Sequence, residues 1–295
     1  MCKRAVRRLA VSLCALLVIW AGSAAWLLGT AWRTVPRYEA TLPDAETTLL
    51  ILDASAYEEL MSVHARPYVF EVRASSGGAA VVFGAEHTKN PEDAQFEQIR
   101  ARWAELQPTV ALIESDLGML FPAFMDPVRE FGEVGMVHAL AREANIQTFS
   151  WEPPDERVVA SAIAQGFTTQ QVALRWVLGP YFSNRRFGQP ADPIAFVADT
   201  FDERIRLPAL DGALSDVSQI DEAWSEEFPD GPDWRDVSDE FGLPGFLGAI
   251  DLNAVRDQHL VACIADLLKQ GERVFVIAGS SHAVKVEPAV RTLVE

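Results

Sequence analysis

The hydrophobic pattern of the chain begins with a long apolar run near the amino end. Between Leu9 and Trp32 the plainly polar residues are Ser12, Ser23 and Thr30. At 1.5 Å per residue, a helix over this run can cross a bilayer. The run also exceeds the apolar core of about 7 to 15 residues that a cleaved secretory signal normally has. The pattern therefore favours an uncleaved signal-anchor, with a cleaved signal peptide as the alternative.

The charges around this run predict its orientation in a membrane. Residues 1–37 form a basic segment without acidic residues, in which Lys3, Arg4, Arg7 and Arg8 precede the apolar run. The flank that carries more Lys and Arg stays in the cytoplasm. We therefore expect a single-pass membrane protein whose carboxyl-terminal domain lies outside the cytoplasm, in the periplasm or the extracellular space. If the segment is cleaved instead, the same domain is secreted.

After residue 38 the pattern alternates between short apolar strands and amphipathic helices. The predicted elements are a strand over Thr47–Leu52, a helix over Ala54–His64, a hairpin of Tyr68–Arg73 and Ala79–Phe83, a helix over Glu92–Leu106, a strand over Thr109–Ile113, a helix over Asp126–Ala144 and a strand over Ile146–Ser150. Strands that alternate with helices of this length pair in parallel through crossover helices. This part of the chain therefore predicts an α/β sheet covered on both faces.

The alternation stops between residues 155 and 245, where the chain looks helical or irregular, and then returns. The elements that follow are a helix over Asn253–Lys269, a strand over Arg273–Ala278 and a helix over Ala283–Leu293. An insertion within one domain fits this order better than two independent domains. We expect residues 38–295 to form a single α/β domain, with a central, mostly parallel sheet flanked by helices and a helical insertion at about 151–248.

Composition narrows the class of partner. The chain has 42 acidic and 25 basic residues, a net charge of −17, and after residue 37 the balance is 19 basic against 42 acidic residues. A surface this negative repels phosphate backbones, so we expect no nucleic-acid partner. Cys263 is the single cysteine beyond the apolar run, so no disulfide is expected within the folded part.

Candidate chemistry appears where two apolar strands end in Gly-x-x-His. Gly84 and His87 follow the predicted strand over Ala79–Phe83, and Gly279 and His282 follow the last predicted strand. In open α/β sheets, ligands bind outside the carboxyl ends of the strands. Glycine at a strand end permits a sharp turn, so the two imidazoles are able to meet over one edge of the sheet. For each histidine alone, a loop residue that caps the next helix is the simpler reading.

Two further residues stand at comparable positions. Glu114 directly follows the strand that ends at Ile113, where a carboxylate is well placed as a metal ligand or general base. Arg256 lies near the start of the helix before the last strand, where it is able to fix a carboxylate or stabilise an oxyanion. The alternatives are helix capping for Glu114 and an ordinary surface position for Arg256. His64, His138 and His259 lie in helical patterns and are expected to be ordinary helix residues.

In this order, the motifs resemble the superfamily that unites TraB/PrgY and GumN-like proteins, Tiki metalloproteases, erythromycin esterases and ChaN-like haem-associated proteins. The matching elements are Gly84-x-x-His87, Glu114, Arg256-Asp257 and Gly279-x-x-His282. The resemblance runs from about Ala80 to Asp116 and from Asn253 to the carboxyl end, close to a quarter of the chain, and residues 151–248 have no counterpart. Some branches carry Glu directly after the first glycine, where this chain has Ala85, which shifts the resemblance towards the Tiki and TraB branches.

The resemblance implies an α/β domain of two related halves, each supplying one Gly-x-x-His, with a metal-dependent hydrolytic site. His87 and His282 become candidate metal ligands or bases, Glu114 a ligand or base, and Arg256 a stabilising cation. Such ligands suit a divalent ion, with Mn, Co, Zn and Fe all compatible. The resulting hypothesis is an exported or membrane-anchored hydrolase that cleaves a peptide or ester bond in a peptide or small-molecule substrate. The rival hypothesis is a non-catalytic protein that binds haem or a metal ion.

Overall fold

The computed structural model of the protein describes residues 20–40, 50–115, 117–184, 188–237 and 243–294. The chain divides into two compact units, one drawn from Met1–Glu152 and Leu260–Glu295 and the other from Pro153–His259. We call them the α/β unit and the helical unit. The predicted signal-anchor or signal helix falls largely on residues 1–19, and most of the predicted strand over Thr47–Leu52 falls on residues 41–49. Both stretches lie outside the described residues.

The α/β unit is built on one five-stranded sheet. Its strands are β1 (Tyr68–Arg73), β2 (Ala79–Ala85), β3 (Val110–Ile113), β4 (Gln147–Ser150) and β5 (Arg273–Gly279). The strand order is β1-β2-β5-β3-β4, with β1 antiparallel to β2 and the other neighbouring pairs parallel. The predicted α/β sheet is confirmed in this form, as a mixed sheet whose antiparallel edge comes from the hairpin.

Helices cover both faces of this sheet. They are α2 (Gln95–Leu106), α3 (Pro127–Glu143), α9 (Ala254–Lys269, in part) and α10 (Ser280–Val294), while α1 (Ala54–Met61) packs on α10. Because successive side chains of a strand point to opposite faces, β5 places Val274 and Val276 in one apolar cluster and Phe275 and Ile277 in the other. The helix α10 begins at Ser280, three residues earlier than the pattern predicted.

The helical unit contains α4 (Asp155–Ala164), α5 (Thr169–Asn184), α6 (Pro193–Ile205), α7 (Ile220–Glu227), α8 (Phe246–Ala249) and the start of α9. Its described residues include no strand. The core is rich in aromatic side chains, among them Trp176, Tyr181, Phe182, Trp224 and Trp234. Near the surface of this unit, the Arg235 guanidinium pairs with the carboxylates of Asp221 and Asp233 at 2.7 and 2.9 Å.

The amino-terminal part of the described chain is a helix over residues 20–30 that carries exposed apolar side chains. Trp20, Trp26 and Leu28 are 71%, 59% and 56% exposed. The next aromatic residue, Trp32, is buried instead. Its backbone amide donates to the carbonyl of Leu120 at 2.8 Å. None of the helices in the described ranges combines the length and apolar character that a membrane crossing requires.

Candidate functional site

The sheet order brings the predicted chemistry to one edge. The strands β2, β5 and β3 are neighbours and parallel, so their carboxyl ends lie side by side. In the register, Ala85 faces Gly279 and Ile113 faces Ile277. The residues that follow these three strand ends are His87, His282 and Glu114. The sequence had predicted each of them at a strand end but did not predict which strands are adjacent.

Gly279 is the point on which two of these side chains converge. Its amide N–H donates to Oε2 of Glu114 at 2.5 Å. A Cβ added at position 279 would lie 3.0 Å from Nε2 of His87 and 3.6 Å from Oε2 of Glu114. Because Gly279 has no side chain, the imidazole and the carboxylate both come close to the end of β5.

His282 completes the group from the first turn of α10. Its Nε2 lies 3.7 Å from Oε1 of Glu114, so this carboxylate stands between the Gly279 amide and the second imidazole. The side chain of His282 is 6% exposed and meets the ring of Trp151 edge to face, with centroids 5.3 Å apart. Trp151 is in turn fixed by its indole N–H, which donates to the carbonyl of Ile277 at 3.0 Å.

His87 is oriented by a buried carboxylate that the sequence analysis missed. Its Nδ1 lies 2.5 Å from Oε1 of Glu133, and the Glu133 side chain is 5% exposed. The amide of Thr88 donates to the other carboxylate oxygen at 3.5 Å. This contact fixes the ring, and Nε2 is the nitrogen that approaches Gly279.

A kink in α3 brings Glu133 to this position. Gly132 has φ of +58° and interrupts the helical backbone. A Cβ at Gly132 would stand 2.6 Å from the carbonyl of Thr88, so the close approach of helix and loop requires glycine. The sequence signal was present: Gly132 and Gly135 flank Glu133 in an otherwise helical pattern, and such glycines mark a packing or functional reason.

The loop that carries His87 is also held from α2. The side-chain carbonyl of Gln95 accepts from the amide of Glu86 at 3.1 Å, and its NH₂ donates to the carbonyl of Glu86 at 2.7 Å. Gln95 is 3% exposed. The backbone next to His87 is therefore clamped by a buried amide, which is a second contribution that the sequence pattern did not reveal.

Arg256, by contrast, belongs to the helical unit. It is the third residue of α9, as its position in the sequence predicted, and its Nη1 donates to Oδ1 of Asn253 at 2.6 Å. The structure thus brings together His87, Glu114 and His282 within the α/β unit, while Arg256 contacts Asn253 at the start of its own helix.

The chemistry of the donor set fits a divalent metal. Two imidazoles and one carboxylate are ligand types that Zn, Mn, Co and Fe accept. A metal-ligating His normally forms a hydrogen bond to a carboxylate with its second ring nitrogen, as His87 does with Glu133. Among the residues that the structure describes, no three or more His, Cys, Asp or Glu side chains are already spaced to hold a metal ion.

His138 lies outside this group and differs from it in environment. It is 6% exposed on α3, its Nδ1 is 3.1 Å from Oγ1 of Thr148, and its ring meets Trp32 edge to face at 4.7 Å. Burial, assisted by the charge of Arg142, lowers the pKa of His138 to about 4. It is a neutral core residue at physiological pH, which agrees with the prediction of an ordinary helix position.

Comparison with known proteins adds no relative. The chain matches no model of a protein family, and neither the curated proteins nor the solved structures contain a match to it.

Proposed function

We propose that the protein is a membrane-attached or exported hydrolase that cleaves a peptide or ester bond with a metal-activated water. His87, His282 and Glu114 would hold one divalent ion. The observation that carries this proposal is the convergence of two imidazoles and a carboxylate at the carboxyl edge of the sheet, with His87 oriented by the buried Glu133. The resemblance of the same motifs, in their order along the chain, to the TraB, Tiki and erythromycin-esterase superfamily also supports it.

Each residue of the proposed site would have a different role. Glu133 accepts from Nδ1–H of His87 and so favours the tautomer whose Nε2 is a lone-pair donor towards Gly279. Glu114 is held by the Gly279 amide, which aims its second oxygen at His282. A bound divalent ion supplies a water of lowered pKa and polarises the scissile carbonyl. The role that the sequence suggests for Arg256, stabilisation of the developing oxyanion, stays a prediction.

The two Gly-x-x-His turns are proposed to belong to related halves of the domain, as in the superfamily that the motifs resemble. Two facts support this reading. Both turns follow strands that are buried, apart from the exposed Arg273 at the start of β5, and those strands are direct parallel neighbours in the sheet. The ligand types leave Mn, Co, Zn and Fe as the metals of choice, since mixed imidazole and carboxylate ligation suits each of them.

We further propose that the chain is held in a membrane by its apolar run, with the α/β unit outside the cytoplasm. The basic amino-terminal flank supports the orientation. The exposure of Trp20, Trp26 and Leu28 on the helix over residues 20–30 supports an apolar environment for that helix. Secretion after cleavage is the alternative.

One observation favours the second candidate function, a non-catalytic protein that binds haem or a metal. His282 is almost fully buried and packed against Trp151, a setting that suits a fixed ligand better than a residue reached by substrate. In that case the site would bind its ion or haem but would hydrolyse nothing.

The deciding experiment uses the full chain in detergent or vesicles. Its metal content is measured, and ester and peptide libraries are screened for hydrolysis before and after chelation. The hydrolase proposal expects activity that chelation removes and the metal restores. Bound metal without hydrolysis, or a haem absorbance band on titration, would instead establish the binding protein.

A further inference from the structure

Most of the loop between Glu114 and α3 is apolar. Residues 117–125 read Leu-Gly-Met-Leu-Phe-Pro-Ala-Phe-Met, without a polar or charged side chain. Met119 and Phe124 are 61% and 67% exposed, and the ring of Phe121 stacks on that of Phe124 with centroids 5.4 Å apart. We call residues 117–125 the apolar loop. Leu117 and Leu120 are buried in the α/β unit, so the exposed apolar surface of the loop comes from Met119 and Phe124. Exposed loops are normally polar, which makes this surface a candidate for an interaction.

The apolar loop is tied to the end of the amino-terminal helix. Trp32 forms an antiparallel bridge with Leu120, and Ala31 is the single residue between that helix and Trp32. Two residues of chain span at most about 7 Å, and paired strands lie about 5 Å apart. The backbone of Leu120 therefore lies within roughly 12 Å of the helix end.

The length of the amino-terminal apolar run indicates where Ala31 and Trp32 would lie relative to a bilayer. The apolar run from Leu9 to Thr30 has 22 residues, about the number that a membrane-spanning segment requires. Ala31 and Trp32 would then stand at the bilayer surface, where the headgroup layer is roughly 5–7 Å deep on each side. The apolar loop, paired with Trp32, would face the same layer.

We propose that the apolar loop is a second membrane contact, whose Met119 and Phe124 enter the interfacial layer of the bilayer beside the anchoring helix. This inference rests on the proposed membrane attachment. Because Leu117 is three residues from Glu114, the contact holds the carboxyl edge of the sheet, and with it the candidate site, close to the membrane surface.

The charge of the protein specifies the nature of this contact. The chain carries a net charge of −17, so anionic headgroups repel it, and the apolar loop has no charge of its own. The attraction must therefore come from burial of apolar side chains. It should persist in neutral lipids and at high salt, because salt screens charge interactions and leaves apolar burial in place.

The test places a fluorophore on the loop of the full chain. Cys2 and Cys14 are replaced by Ser, Cys263 is buried and stays, and Phe124→Cys or Met119→Cys carries the label. The matched control is Ser75→Cys, exposed in the turn before β2, at the opposite end of the strands. Each chain is reconstituted in vesicles of neutral phosphatidylcholine with and without nitroxide-labelled lipid, and circular dichroism verifies the fold.

The proposal expects the lipid nitroxide to quench the labels at positions 119 and 124 several-fold more strongly than the label at position 75, at low and high salt. If the chain stays with the vesicles but all labels are quenched equally, the loop contact is wrong while the membrane attachment stands. Labels shielded from aqueous iodide yet untouched by the lipid nitroxide would show a protein occupant and would also overturn it. A chain that fails to sediment with vesicles would refute the attachment and the inference together.

Discussion

The two Gly-x-x-His turns share a motif and an edge of the sheet but differ in environment. His87 lies in the loop after β2, with a side chain 31% exposed, and is oriented by Glu133. His282 lies in the first turn of α10, with a side chain 6% exposed beneath Trp151. The connection decides this difference, since a loop runs from Ala85 to α2 whereas α10 begins directly after Gly279. The Gly-x-x-His motif thus predicts at which edge of the sheet the histidine lies. The length of the connection between strand and helix decides how exposed its side chain is.

The glycines of the two turns, Gly84 and Gly279, differ in what surrounds them. A Cβ at Gly84 would stand 2.6 Å from the Cβ of Ala283 and 2.8 Å from the carbonyl of Tyr68. A Cβ at Gly279 would first meet the end of the His87 side chain at 3.0 Å. We infer that Gly84 serves the packing of α10 on the sheet, while Gly279 leaves room for the site.

The largest expected effect is on activity. His87→Ala should abolish metal-dependent activity, because the proposed site loses one of its three ligands, and should leave the melting temperature nearly unchanged because the side chain lies in a loop. His282→Ala should lose activity as well and should also lower the melting temperature, since it empties a buried position. His64→Ala is the control. Full activity of His87→Ala would show that His87 does not belong to the site.

The next effect concerns stability and separates the two glycines. Gly84→Ala should destabilise the fold by about 1–3 kcal/mol, because the added methyl group overpacks the contact with Ala283 and the Tyr68 carbonyl. Gly118→Ala, whose Cβ would have only ordinary contacts, should stay within about 0.5 kcal/mol in urea titration. A Gly84→Ala protein as stable as wild type would show that α10 does not pack on β2 this closely.

A smaller effect tests the orientation of His87. Glu133→Gln should lower metal affinity or activity by about 10- to 100-fold, as is usual when the carboxylate partner of a ligating His is changed. The matched control is Glu130→Gln, an exposed position in the first turn of the same helix. Metal titration and steady-state kinetics measure both variants. Equal behaviour of the two would remove Glu133 from the site.

The sequence predicts those parts of the fold and of the site that depend on local patterns. Alternating strands and helices predicted the α/β sheet, and the strand ends predicted His87, Glu114 and His282. Glu133 was missed because its contact with His87 spans 46 residues and depends on a kink that a helical period does not encode. The start of α10 was missed because the Ser280–Ser281 pair has no apolar period.

The amino-terminal run shows the same limit. Hydropathy placed Trp32 at the end of the apolar segment, whereas the structure buries it in the α/β unit against His138. Hydropathy reports how apolar a side chain is and cannot distinguish lipid from protein core as its surroundings. The bridge to Leu120 makes that distinction, and it is a long-range contact.

The last prediction leaves activity at neutral pH unchanged and uses His138 as the reference for a buried histidine outside the site. Its folded pKa is about 4, while in the unfolded chain it titrates near 6.5, so the unfolded state binds more protons between these values. The stabilisation is fully present above about pH 6.5 and is lost as pH falls towards 4, by at most about 1.4 kcal/mol per pH unit. His138→Gln should flatten that part of the dependence of unfolding free energy on pH without affecting activity at neutral pH. An unchanged slope would contradict the low pKa.

The most direct test of the central claim is metal stoichiometry. The full chain and its His87→Ala/His282→Ala double variant are dialysed in turn against Zn²⁺, Mn²⁺, Co²⁺ and Fe²⁺, and bound metal per chain is measured by mass spectrometry. We expect wild type to retain one ion of at least one of these metals and the double variant to retain none, with both chains folded by circular dichroism. Equal metal content in the two chains, whether one ion or none, would contradict a site built from these two turns.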